Sequence, residues 1–146
     1  MKTFTNLIDK ARETVEEIFP WDLNDYLKAG NTPVLLDIRE PYETDAMKLK
    51  NTINVPRGVL EQAVSEGFTE SHEGLIGARQ QEIIIVCRSG NRSLLAAETL
   101  QQMGFVNVKS MKTGLRGWAD YGLPLLNLND LEASYEETEK YFYPNG

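Results

Sequence analysis

Apolar positions along this chain fall into two patterns. Phe4, Leu7, Ile8, Ala11, Val15 and Ile18 recur at spacings of three and four, the stripe of an amphipathic helix. Pro20 is read as the end of that helix. A second, short helix is expected from Asp22, a suitable N-cap, to Gly30, a suitable C′ residue. Later the apolar residues come in short runs instead. Val34-Leu35-Leu36-Asp37 predicts a buried strand with an acid at its carboxyl end, and Thr52-Ile53-Asn54-Val55 a strand stopped by Pro56. Between them Pro41-Tyr42-Glu43 opens a turn or helix. Ile83-Ile84-Ile85-Val86 is β-branched throughout, which predicts a central parallel strand buried on both faces.

Arg92 to Met103 predicts a helix with Ala96, Ala97, Leu100 and Met103 on its inner side and Gly104 as its stop. Phe105-Val106-Asn107-Val108 is read as the last strand. Trp118 falls in a short helix ending at Gly122 and Pro124. Signals are weaker in residues 58–80: Val59 to Val64 suits a helix and Glu66 to Glu73 a polar loop. Asn129 to Gly146 is acidic and aromatic, suiting either a docked helix or a frayed tail. Strands alternating with helices predict an α/β fold with a mainly parallel sheet. Ligands of such sheets gather outside the carboxyl ends of the strands. Cys87 directly follows the strand 83–86, so the pattern alone brings it to that edge.

Composition narrows the picture. The 146 residues suit one domain, and 41% hydrophobic with 25% charged residues is an ordinary globular balance. A formal charge of −7 argues against nucleic acid as a partner. No run of 18 apolar residues is present, so no membrane span is expected. The N-terminus lacks the apolar core of a secretory signal. A single cysteine forms no internal disulfide and fits a reducing compartment, so the cytoplasm is the expected location. One Cys and one His do not assemble a Cys/His zinc site; no metal or other cofactor is expected.

The segment Cys87-Arg88-Ser89-Gly90-Asn91-Arg92-Ser93 joins the central strand to its helix. Unpaired N–H groups and the positive end of the helix dipole meet there, and Arg88 and Arg92 add two charges. Each effect favours thiolate over thiol, relative to the value of about 8.5 for a free cysteine. The expectation is an exposed, cation-flanked nucleophile needing no general base. The lone histidine, His72, is read as a solvated loop residue. Gly90 permits positive φ, letting successive amides curl toward one anion, and Ser89 and Ser93 offer hydroxyl donors. The plainer alternative is a buried apolar cysteine at a strand end; the Arg-Ser-Gly-x-Arg-Ser that follows it argues against a core filler.

With this loop, the chain resembles the rhodanese family, particularly its single-domain members. CRSGNRSLLAAETLQQMGF is similar to the family's active-site loop and following helix. LLDIREPYE resembles its strand-end motif, TINVPRG its strand ending in proline, and GLRGWADYGLP its C-terminal Gly/Trp element. The resemblance covers about residues 18–126, leaving 1–17 as an N-terminal amphipathic helical extension and 127–146 as an acidic tail or docked helix. Lys48 to Thr52 replaces a usual Gly-His pair, and Thr113-Gly114 stands where the family has Gly-Gly; the Thr113 side chain would narrow the approach to the site.

The resemblance implies a rhodanese-like five-stranded, mainly parallel sheet with helices on both faces. It implies sulfur transfer from a small anionic donor, thiosulfate or similar, to cyanide or a thiol acceptor, through a persulfide on Cys87 in a ping-pong scheme. Arg88, Ser89, Gly90, Asn91, Arg92 and Ser93 would bind the substrate, the amides of residues 88–92 holding the negative sulfur. Asp37 and Arg39 are read as structural support, bracing neighbouring loops. Arg57 is either part of a basic rim or plain surface, and Trp118 a core anchor. One rival function is a persulfide carrier or sensor that delivers sulfur to a partner protein. Another is a phosphatase or arsenate reductase of the same fold. Phosphatase loops place one more residue between Cys and Arg than the four found here, Arg88 to Asn91.

Overall fold

The β-branched run predicted as the central strand occupies the middle of a five-stranded, all-parallel sheet in the computed structural model, which describes all 146 residues. Its strands are β1 (Glu16–Ile18), β2 (Val34–Asp37), β4 (Thr52–Asn54), β5 (Glu82–Val86) and β6 (Asn107–Met111), in the order β1-β6-β5-β2-β4. A short antiparallel pair, β3 (Met47–Lys48) with β7 (Leu126–Asn127), lies outside it. The helices are α1 (Phe4–Arg12), α2 (Pro20–Lys28), α3 (Pro41–Ala46), α4 (Leu60–Ala63), α5 (Asn91–Gln102), α6 (Gly114–Asp120) and α7 (Tyr135–Phe142).

Strand periodicity divides the core in two. Ile83, Ile85 and Cys87 face a cluster built with α1, α4 and α5, in which Leu94, Ala96, Ala97 and Leu100 are fully buried. Ile84 and Val86 face the opposite cluster, with Leu23 of α2, Leu115 and Trp118 of α6, and Phe142 of α7. Both faces of β5 are therefore covered, as an unbroken apolar run requires. Each such aliphatic side chain stabilises the fold by about 1.5–3 kcal/mol. Trp118 is the core anchor expected, its indole N–H donating to the Pro124 carbonyl at 2.9 Å.

Three predicted elements differ. The first helix stops at Arg12; Glu16–Ile18 forms an edge strand in register with Lys109–Met111. Ile8, Ala11 and Val15 still share one core, which is why their spacing mimics a longer helix. Phe4 is 55% exposed and lies outside it. Pro20 opens α2 rather than closing α1, as proline at a first helical position can, and the N-cap is Phe19 rather than Asp22. The last strand of the sheet begins at Asn107, not Phe105, because Phe105 turns into the core after α5 while Val106 stays exposed.

At the other end of the chain, the acidic segment forms a docked helix. A capping box between Ser134 and Glu137 starts α7, and Phe142, 4% exposed, seats it in the second core. No helix is long and apolar enough to cross a membrane.

Candidate active site

Asp37 at the end of β2 is in register with Val86 of β5 and Asn54 of β4, so these strands finish level beside Cys87. The chain leaves β5 through Cys87 and enters α5 at Asn91. Gly90 is the N-cap with φ +90°, a left-handed conformation suited to glycine. The turn wraps its own amides around the sulfur: Cys87 Sγ accepts from the N–H of Gly90 at 3.2 Å and of Ser93 at 3.3 Å. The thiol donates to Ser93 Oγ at 3.3 Å, and Ser93 Oγ shares a 2.7 Å hydrogen bond with Ser110 Oγ of β6. Cys87, Ser93 and Ser110 have no exposed surface. A chalcogen at the start of a twelve-residue helix, facing two N–H donors, sits where negative charge is best stabilised.

Helix α6 clamps this turn from behind. Leu115 N–H donates to the Cys87 carbonyl and Arg116 N–H to the Arg88 carbonyl, both at 2.9 Å. The approach is so close that a Cβ on Gly114 would lie 2.5 Å from the Arg88 carbonyl atoms, at a backbone φ of +65°. Thr113 also holds positive φ, +66°, strained for a β-branched residue by about 1–3 kcal/mol. Its side chain lies over Gly117, where a Cβ would overlap its hydroxyl. Gly114→Ala is expected to cost about 1–3 kcal/mol of stability, read as a lower urea midpoint, and to speed alkylation of Cys87 as the turn loosens. An unchanged midpoint and alkylation rate would show that the clamp is not needed.

The arginines are placed differently from the sequence expectation. Cys87 is buried rather than exposed, and neither guanidinium is among the hydrogen-bond partners of its sulfur. Arg92 makes a bidentate pair with Glu43 of α3, at 2.9 and 3.0 Å. Burial pushes the Glu43 carboxyl up, but hydrogen bonds from Arg92 and the Glu40 N–H, with the charges of Arg92 and Arg39, outweigh it and hold the group below its ordinary range. The same pair raises Arg92 above its usual value, against burial, and the nearby Cys87 and Asp37 charges add to the effect. Arg88 turns to the C-terminal helix, donating to the Phe142 carbonyl at 2.9 Å and lying over the Tyr141 and Phe142 rings, 5.5 and 5.2 Å from their centres. Ser89 and Asn91 are half-buried in the turn.

Asp37 and Arg39 form a fully buried ion pair at 2.8 Å. Arg39 also donates to the Met47 carbonyl at 2.7 Å and to Tyr141 Oη at 3.2 Å, and the Arg39 N–H donates to Asp37 at 3.0 Å. Arg57 bonds Glu61 and Thr99 instead of joining the loop, and His72 accepts the Gly74 N–H. Sequence reasoning passed over Glu43, Ser110, Tyr141 and Phe142.

The geometry finds its match among known proteins. Residues 20–121 match the model of the rhodanese-like domain family. The chain belongs to that family.

Curated relatives of this rhodanese-like domain include thiosulfate sulfurtransferase 16 of Arabidopsis thaliana chloroplasts, 36% identical over 104 residues, or 69% of this chain and 84% of that one. A Bacillus subtilis relative named as a sulfur carrier protein is 32% identical over 84 residues, or 58% of this chain and 40% of that one. The chain thus spans only part of some relatives, 63% of the length of one from Schizosaccharomyces pombe. Among solved structures, a Rhodopseudomonas palustris protein of unknown function, described as a possible tyrosine phosphatase, superimposes with a TM-score of 0.76 at 28% identity, covering 85% of this chain and 94% of that one.

Proposed function

We propose that this rhodanese-like domain is a sulfurtransferase that takes a sulfane sulfur from thiosulfate or a similar small anionic donor. It passes that sulfur to cyanide or a thiol through a persulfide on Cys87. The observation that carries this reading is the seat of Sγ, held by the Gly90 and Ser93 N–H groups at the start of α5. The Cys87 thiolate attacks the outer sulfur of thiosulfate. The new S–S bond forms as the donor's S–S bond breaks, and sulfite leaves with the electron pair. The turn of residues 88–92 with Ser93 then holds the charged terminal sulfur as an oxyanion hole holds oxygen. Cyanide or a thiolate takes that sulfur and restores Cys87. Because Cys87 has no exposed surface, attack follows a local opening of the turn.

A second reading is a persulfide carrier that hands sulfur to a partner protein. It is favoured by the relative named as a sulfur carrier. The lone free cysteine fits a reducing compartment, and the cytoplasm is the location we propose.

The phosphatase alternative is tested by loop size. Four residues between Cys87 and Arg92 make a turn that fits a single sulfur and excludes a phosphoryl group. Native protein is expected to hydrolyse no measurable p-nitrophenyl phosphate. A glycine inserted after Gly90 is expected to lower sulfur transfer at least about tenfold, through weakened contacts to a charged sulfur. Aryl phosphate hydrolysis as fast as sulfur transfer would overturn the assignment.

A further inference from the structure

We propose that Glu43 and the C-terminal helix set the charge of the donor this site accepts, favouring sulfane-sulfur donors with one negative charge over dianions. The proposal rests on the sulfur-transfer reading above and concerns its donor. Both arginines of the Cys87 turn have partners within the molecule, although the Arg92 side chain stays 38% exposed. Arg92 is neutralised by the Glu43 carboxylate, whose side chain is 11% exposed. Arg88 is spent on the Phe142 carbonyl, at the negative end of α7, and on two aromatic rings. Arg39 is wholly taken by Asp37, Met47 and Tyr141. What remains for the reacting atoms is the set of N–H groups at the start of α5, which suits one charged sulfur.

Charge accounting separates two donors of the same bond type. Thiosulfate and the Cys87 thiolate bring three negative charges together, leaving as persulfide and sulfite. Methanethiosulfonate brings two, leaving as persulfide and methanesulfinate. In each case the thiolate gains one S–S bond and the donor loses one, so no further reactant is needed. A sulfonate oxygen that loses water at the mouth of the site needs a charged donor in return; Arg92 is neutralised by Glu43, and Arg88, which no carboxylate pairs, is turned away to the Phe142 carbonyl and two rings.

The test compares kcat/KM for thiosulfate and methanethiosulfonate, with cyanide as acceptor. The wild-type chain is expected to favour methanethiosulfonate at least about tenfold. Glu43→Gln keeps the cap on the Glu40 N–H but removes the charge that occupies Arg92. It is expected to raise the thiosulfate-to-methanethiosulfonate ratio about tenfold. Tyr141→Leu, which removes one ring beneath Arg88, is expected to move the ratio the same way by a smaller factor. Salt gives a reading on the unaltered protein: thiosulfate kcat/KM should change little with ionic strength in wild type and fall steeply in Glu43→Gln. Loading of Cys87 with an unchanged or reversed ratio, or a steep salt dependence in wild type, would overturn this proposal alone. Failure of both donors to load Cys87 would overturn the sulfur-transfer reading and this proposal with it.

Discussion

Cys87→Ser is expected to abolish thiosulfate:cyanide sulfur transfer and leave the fold standing. The proposed nucleophile is the only cysteine in the chain, so no second thiol can take over. A serine hydroxyl is smaller, far less acidic, and unable to form a persulfide. Removing the nucleophile of a well-studied hydrolase costs a factor on the order of 10⁶ in kcat, and a loss of that order is expected here. The fold survives because the replacement still accepts from Gly90 and Ser93 and still meets the Ser93–Ser110 hydroxyl pair. Thiocyanate formation and the thermal midpoint, measured together, check this. Retained transfer in the serine variant would remove Cys87 from the mechanism.

Asp37→Ala is expected to cause the largest loss of stability of any single change at the site. Arg39 has no exposed surface, and Asp37 is the partner that supplies its countercharge, accepting from Nε at 3.1 and 3.2 Å and from Nη2 at 2.8 Å. Removing one side of a buried pair leaves an uncompensated charge, at a cost of about 3–5 kcal/mol. Domains of this size hold only about 5–15 kcal/mol in total, so the variant should be partly unfolded or close to it. Replacing both partners with apolar residues avoids the orphaned charge. The Asp37→Ala, Arg39→Met pair should therefore lose less than Asp37→Ala alone. Urea unfolding reads both. A single-variant loss below about 1 kcal/mol would show that Arg39 finds water or another partner.

How much of this was legible depended on whether residues carried their signal alone. The strand 34–37 and the central strand were readable because their apolar runs have one stable use, a sheet buried on both sides. The Cys87 turn was readable because glycine and two arginines follow a cysteine at a strand end. The first helix was overextended because Val15 serves the same core as Ile8 and Ala11 while belonging to the next segment. The edge strand 16–18 was hidden by two glutamates, which an edge tolerates.

Ser110 was hidden likewise. A serine in a strand reads as half-exposed, and only the fold brings it 2.7 Å from Ser93. Glu43 lies forty-four residues before Cys87 on a short helix, and nothing local marks it as the partner of Arg92. The C-terminal helix, left open against a frayed tail, had a signal that decides for it. Ser134 and Glu137 spell a capping box ahead of Tyr141, Phe142 and Tyr143, a pattern that favours a docked helix over a frayed tail. That it grips Arg88 and Arg39 is a tertiary fact no local pattern carries.

The central claim is that Cys87 carries sulfur as a persulfide. Intact mass spectrometry of the native chain, before and after thiosulfate and again after cyanide, tests it directly. A gain equal to one sulfur atom, absent in Cys87→Ser and removed by cyanide with release of thiocyanate, is the predicted result. A chain whose mass does not change on exposure to thiosulfate or methanethiosulfonate, or a gain that persists in the serine variant, would contradict it.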